Sequence, residues 1–100
     1  AIGADVDQYS AAPDYVLTSA LKGTTMSAYV TIKDLVNGKL KGGVNRVFGL
    51  SEGAIDIAPF HDHDKIVPAE VKNAVAKAKT DIVQGKIKVP ETLADLGIKK

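Results

Sequence analysis

One stretch constrains this chain more than any other. From Pro68 to Gln84, Val71, Val75, Ala78 and Ile82 recur at steps of four, three and four, the spacing of one face of an α-helix. Proline suits the first helical position, Glu70 meets the positive end of the helix dipole, and Gly85 stops the run. A second helical stripe lies upstream. Thr24 or Thr25 serves as an N-cap, Ala28, Tyr29, Ile32, Leu35 and Val36 line one face, and Asn37-Gly38 ends it.

Between and before these helices the apolar residues lose the helical period. Ala1 to Gln8 reads as the end of a buried strand running into a polar loop, with Gly3 allowing close backbone approach and Asp5 and Asp7 just past it. Tyr9 to Asp14 is a loop. Tyr15 to Leu21 is short, apolar and partly β-branched, as in a buried strand or crossing segment, and Lys22-Gly23 is a turn. Val44–Phe48 and Ala54–Ala58 read as two extended runs joined by Ser51-Glu52-Gly53, in the manner of a hairpin. Pro59 to Val67 is a loop holding both histidines. Lys86 to Val89 is a short strand broken by Pro90, and Thr92 to Leu96 adds a last turn. Strand, strand, helix, hairpin, helix, strand is α/β material. So few strands point to a sheet completed by residues outside this chain. The start at Ala1, without Met, fits missing upstream sequence, and any targeting segment would be missing with it.

Composition narrows the function classes. Thirteen basic and 12 acidic residues give a net charge of +1, so charge offers no case for nucleic acid or an anionic membrane. With no cysteine, disulfides, thiolate catalysis and Cys-based zinc sites are excluded within the chain. No apolar run approaches the roughly 20 residues of a spanning helix. The lysines between Lys33 and Lys41 and after Lys72 interleave with acids, as on solvated helix faces.

Taken in order, several segments resemble the basic membrane protein family, the substrate-binding lipoproteins of ABC importers that include the purine nucleoside receptor type. Ile2 to Gln8 is similar to its strand-loop signature, and Val16 to Lys22 to its V-L-T-S-x-x-K segment. Thr31 to Asp34 with Gly38-Lys39 and Gly42-Gly43 resembles the helix and glycine turn that follow. Gly49-Leu50, Gly53, Ala58-Pro59-Phe60, Val67-Pro68 and Gly85 to Pro90 continue the likeness to the C-terminal end. The resemblance implies the final portion of a two-lobed, type I periplasmic-binding-protein fold. On that likeness residues 1–22 belong to the C-terminal lobe, 23–43 cross to the N-terminal lobe, 44–58 cross back, and 59–100 return to the C-terminal lobe. It also implies a nucleoside ligand, an ABC permease as partner and the remaining N-terminal part of the same protein. The implied location is extracytoplasmic, with a lipid anchor outside this chain. No cofactor or metal and no enzymatic step are implied.

By its residues alone Asp5 fits two roles. A carboxylate where a strand of an open α/β sheet ends can accept two hydrogen bonds from vicinal hydroxyls, or it can cap local backbone amides. The resemblance implies the first, on ribose. Lys22 is the second ligand candidate, donating to sugar oxygens beside Asp5, against the common fate of a solvated turn lysine. Asp7 and Gln8 read as structural loop residues. Ser19 to Lys22 also matches the S-x-x-K nucleophile pattern of penicillin-binding proteins, which needs both side chains on one helical face; the extended reading of this segment and the lack of S-D-N and K-T-G partners count against it. A third reading is a non-transport regulatory protein on the same fold. His61-Asp62-His63-Asp64 contains metal-ligand residue types, but in a loop these read as an exposed polar segment. Lys39 to Gly43 lacks the order of a phosphate loop and reads as a turn.

Overall fold

A computed structural model of the protein describes residues 1–98. The chain divides into two compact units, Ala1–Pro68 and Ala69 onward.

The first unit is built on a three-stranded sheet in the order β1 (Ile2–Asp5), β2 (Thr18–Lys22), β3 (Ile55–Ile57). The first pair is parallel, with Ile2 opposite Thr18 and Asp5 opposite Leu21. The second is antiparallel, with Ala20 opposite Ile57 and Lys22 opposite Ile55. The central strand is the buried one: Thr18 and Ser19 are buried, as are the flanking Val16, Ala54 and Ala58. These small residues let the backbones close up. A Cβ at Gly3 would stand 2.5 Å from Ser19 Oγ, and one at Gly23 would stand 3.0 Å from the Ala54 carbonyl oxygen. Thr18 Oγ1 donates to the Ala58 carbonyl over 2.7 Å inside this core.

Helix α1 (Thr24–Val36) follows β2 directly. Its N-cap is Gly23 rather than a threonine, and no side chain caps it. With a glycine there, the backbone carbonyl of residue 23 can take the first helical bond, from Ser27, while its amide stays paired with the Ala54 carbonyl just before β3. The end is as the sequence signals. Gly38 adopts φ 67, its N–H donates to Leu35, and the Lys39 N–H reaches back to the Asp34 carbonyl, a left-handed closure that glycine permits without cost. The apolar stripe of α1 is present but unburied: Tyr29, Ile32, Leu35 and Val36 are all exposed.

The expected hairpin is half present. Ser51 to Gly53 does turn, held by the Ala54 N–H on the Gly49 carbonyl and by the Glu52 carboxylate on the Gly49 N–H. Residues 44–48 form no strand. Arg46 draws this run toward α1 instead, with its guanidinium 2.6 Å from Asp34 and 4.8 Å from the Phe48 ring centre. A single-turn 3-10 helix at Tyr9–Ala11 fills part of the β1–β2 connection, and His61–Lys65 forms another where a plain loop was expected.

The second unit is helix α2 (Ala69–Val83) with a tail. Gly85, at φ 71, closes it: its N–H meets Ile82 and the Lys86 N–H meets Asp81. The Asp81 side chain is buried and paired with Lys77 and Lys86. Residues 86–89 are irregular, not a strand. No helix among the described residues is long and apolar enough to cross a membrane.

Candidate functional site

The parallel pair of strands sets the site. Both β1 and β2 point their carboxyl ends the same way, and in open α/β sheets that end is where ligands bind. Asp5 is the last residue of β1 and Lys22 the last of β2. Asp5 is exposed and holds a left-handed backbone, φ 70, uncommon for a non-glycine residue and tolerated best by Asp and Asn. Register places Asp5 with Leu21, so pleat alternation sends Lys22 to the other face, but the left-handed backbone breaks that alternation at Asp5 itself. Lys22 lines a depression of about 340 Å³ with Thr24, Ser27, Phe48, Ala54 and Ile55. No ion pair joins Asp5 to Lys22 among the described residues.

The loop after Asp5 is tied down at several points. The Val6 N–H returns to the Ala4 carbonyl at 2.9 Å. The Gln8 amide side chain donates to the same carbonyl at 2.9 Å, and the Gln8 backbone N–H donates to Ser19 Oγ at 3.0 Å. Asp7 accepts the Tyr9 N–H on one oxygen at 3.1 Å and meets His61 Nε2 with the other at 2.7 Å. The amide of Tyr9 first, then His61, hold the Asp7 carboxyl below its ordinary range.

Tyr9 joins this loop to the segment after β3. Its ring stacks on His61, centres 4.2 Å apart and planes 25° from parallel, and its hydroxyl donates to Asp62 at 2.5 Å. That bond to a carboxylate, reinforced by desolvation, raises the Tyr9 pKa. His63 meets the Tyr9 ring edge-on, and its Nε2 donates to the Pro13 carbonyl at 2.7 Å. The histidine segment is therefore not a free polar loop. It is folded against Asp7, Tyr9 and Pro13. Among the described residues no three His, Cys, Asp or Glu side chains come together in a way that could hold a metal ion.

The nucleophile reading fails on geometry. Ser19 lies in a strand, wholly buried, with its hydroxyl oxygen engaged by the Gln8 N–H. Lys22, three positions along a strand, falls on the opposite face, whereas the S-x-x-K pair needs one helical turn. The Tyr9–His61 cluster was missed by the sequence reading. Asp7 and His61 lie 54 positions apart, and no local spacing marks such a pair.

The arrangement has counterparts among solved structures. It matches an ABC transporter system solute-binding protein from Aeropyrum pernix K1 with a TM-score of 0.66 and 24% identity, over 91% of this chain and 33% of that one. It also matches a protein from Bacillus halodurans described as a transcriptional activator of the comK gene, with a TM-score of 0.74 and 24% identity, over 86% of this chain and 29% of that one. At that identity both speak for the fold alone, and the α/β reading of the sequence agrees with them.

The family follows from the sequence match: the model for PnrA-like ABC transporter substrate-binding proteins covers residues 1–93, and the chain belongs to that family. The ABC transporter nucleoside-binding protein BmpA of Lactococcus lactis subsp. cremoris is 36% identical over 81 residues, which is 77% of this chain and 20% of that protein. Basic membrane protein D of Borreliella burgdorferi is 36% identical over 90 residues, 89% of this chain and 26% of that protein. The chain thus spans about a fifth to a quarter of the length of these relatives.

Proposed function

We propose that this chain is part of the extracytoplasmic binding component of an ABC importer and takes a nucleoside, a purine nucleoside first, between two lobes. The observation that carries the reading is its likeness to a protein named as nucleoside-binding, over more than three quarters of the chain, with an exposed carboxylate at the end of a parallel strand. Asp5 accepts the two ribose hydroxyls, a charge-assisted pair of bonds that neither water nor a neutral side chain matches in strength. Lys22, at the end of the neighbouring strand, donates to sugar oxygen once the lobes close. Leu21–Gly23 is the hinge, and ligand stabilises the closed form. Residues 1–22 and 59–100 belong to one lobe, and 23–58 run into the other and back. The closed protein docks on a membrane permease and is held to the membrane by a lipid anchor outside this chain. Binding and release involve no covalent step, so the protein is a carrier, not an enzyme, and needs no cofactor.

Titration calorimetry of the complete gene product with inosine or guanosine tests this. Asp5→Ala should weaken binding by more than about 1.5 kcal/mol, the scale of a hydrogen bond to a charged group. Unchanged affinity would remove Asp5 from the site, and no heat with any nucleoside would remove the ligand class. The transcription-linked relative raises a regulatory reading, but a likeness of fold alone gives it no particular support here.

A further inference from the structure

The described non-glycine residues with a left-handed backbone are two, Asp5 at φ 70 and His61 at φ 47. They sit on separate segments, one after β1 and one after β3, and the contacts between those segments run through Asp7, Tyr9, His61 and Asp62. Unfavoured backbone of this kind persists only where its surroundings over-determine it, and such residues gather at ligand clamps. Each end here is over-determined by the other. The His61 ring is held by its stack on Tyr9 at one face and its bond to Asp7 at the edge, while Asp7 and Tyr9 lie two and four positions beyond Asp5.

We propose that the Tyr9–His61 stack, with Asp7 and Asp62, is a clasp that sets the course of the loop leaving β1, making His61 and Tyr9 positioning residues for Asp5. The inference rests on the reading of Asp5 as the ligand contact, but the clasp itself is independent of it. No member contributes much alone. The His61–Asp7 pair is only partly shielded, at 30% and 35% side-chain exposure, and such pairs add little. The strength lies in combination: the Tyr9–His61 stack, the Asp7–His61 contact and the Tyr9–Asp62 bond each join segments more than 50 positions apart, and the Tyr9 amide bond to Asp7 ties the near side together. The charged and titratable groups around His61 are Asp7 on its ring nitrogen, Tyr9 on its face, Asp62 beside it in sequence and bonded to Tyr9, His63 at the Tyr9 edge, and Asp14, whose charge reaches Tyr9. A clasp of this kind limits the rotamer and backbone freedom that Asp5 would otherwise lose on binding, so it acts on affinity without touching the ligand.

The test uses the complete gene product as wild type, His61→Ala, His61→Gln, Tyr9→Phe and, as a control in helix α2 where the hydroxyl bonds only its own helix, Thr80→Ala. Two readouts are taken: hydrogen–deuterium exchange over residues 5–12, and inosine affinity by calorimetry. The expected result is several-fold faster exchange at Gln8 and Tyr9 in His61→Ala, with inosine affinity about tenfold weaker, the control matching wild type. His61→Gln and Tyr9→Phe, which each keep part of the clasp, should fall between. A further readout separates positioning from general destabilisation: the Asp7 carboxyl, followed by carbon NMR, should titrate higher in His61→Gln than in wild type. Unchanged exchange over 5–12 in His61→Ala overturns the clasp. Faster exchange with unchanged inosine affinity overturns its link to Asp5. If the wild type binds no nucleoside, the nucleoside reading falls, and exchange with the Asp7 titration still decides the clasp.

Discussion

Gly3→Ala is the substitution whose cost the structure states most directly. The new Cβ would lie 2.5 Å from Ser19 Oγ, 3.0 Å from Gln8 Cβ and 3.1 Å from Ser19 Cβ. Ser19 has no room to retreat, being wholly buried on the central strand, and its oxygen is already held by the Gln8 N–H. Relief therefore requires β1 or the Gln8 loop to move. Overpacking of this kind costs about 1–3 kcal/mol. Losing the Gln8–Ser19 bond as the loop moves adds about 1 kcal/mol. The expected total is a destabilisation of ~2–4 kcal/mol, read as a lower urea midpoint with unchanged slope for the transition of the unit that holds this sheet. Ser19→Gly alone loses the hydroxyl, but combined with Gly3→Ala it removes two of the three obstructing atoms, the 2.5 Å contact among them, and leaves only Gln8 Cβ at 3.0 Å. The double variant should therefore recover most of the Gly3→Ala penalty, a coupling of more than about 1 kcal/mol between the two sites. Additive losses, or a Gly3→Ala midpoint equal to wild type, would refute the close approach of β1 to β2 on which the placement of Asp5 depends.

Other outcomes follow from single contacts. Thr18→Val keeps the shape of a buried residue but removes the donor to the Ala58 carbonyl, and should cost about 1–2 kcal/mol by denaturant titration, more than a shape-conserving change in an apolar core. Asp95 accepts from the Thr92 hydroxyl, the Thr92 amide and the Glu91 amide, which in that order hold its carboxyl below the usual range. A depressed folded pKa contributes stability above the ordinary carboxylate value and loses it as pH falls through the lowered one. Carbon NMR of Asp95 should accordingly show a late titration on acidification, moved up in Thr92→Ala.

Helix boundaries were the most legible part of the chain. Asn37-Gly38 and Gly85 closed α1 and α2 as read, because a left-handed closing residue is chemistry local to a few positions. The N-cap of α1 falls one or two residues before the threonines, since Gly23 is constrained by Ala54, far along the chain, and not by its own neighbours. Val44–Phe48 has strand composition, yet Arg46 finds Asp34 and Phe48, and an interaction with a helix outweighed a weak β preference. Asp5 and Lys22 could be singled out because a strand's end shows in sequence. The Tyr9–His61 pair could not, since only the fold brings loops so far apart in the chain together.

The left-handed backbone at Asp5 limits which residues position 5 accepts. Asparagine and glycine can take up the same dihedrals, whereas valine, isoleucine and threonine cannot without resetting the turn. A library randomised at position 5 is thus filtered by main-chain geometry before any other selection acts on it. The permitted survivors range from an acid through an amide of the same shape to no side chain at all: a short menu that removes first the charge and then the group that carries it.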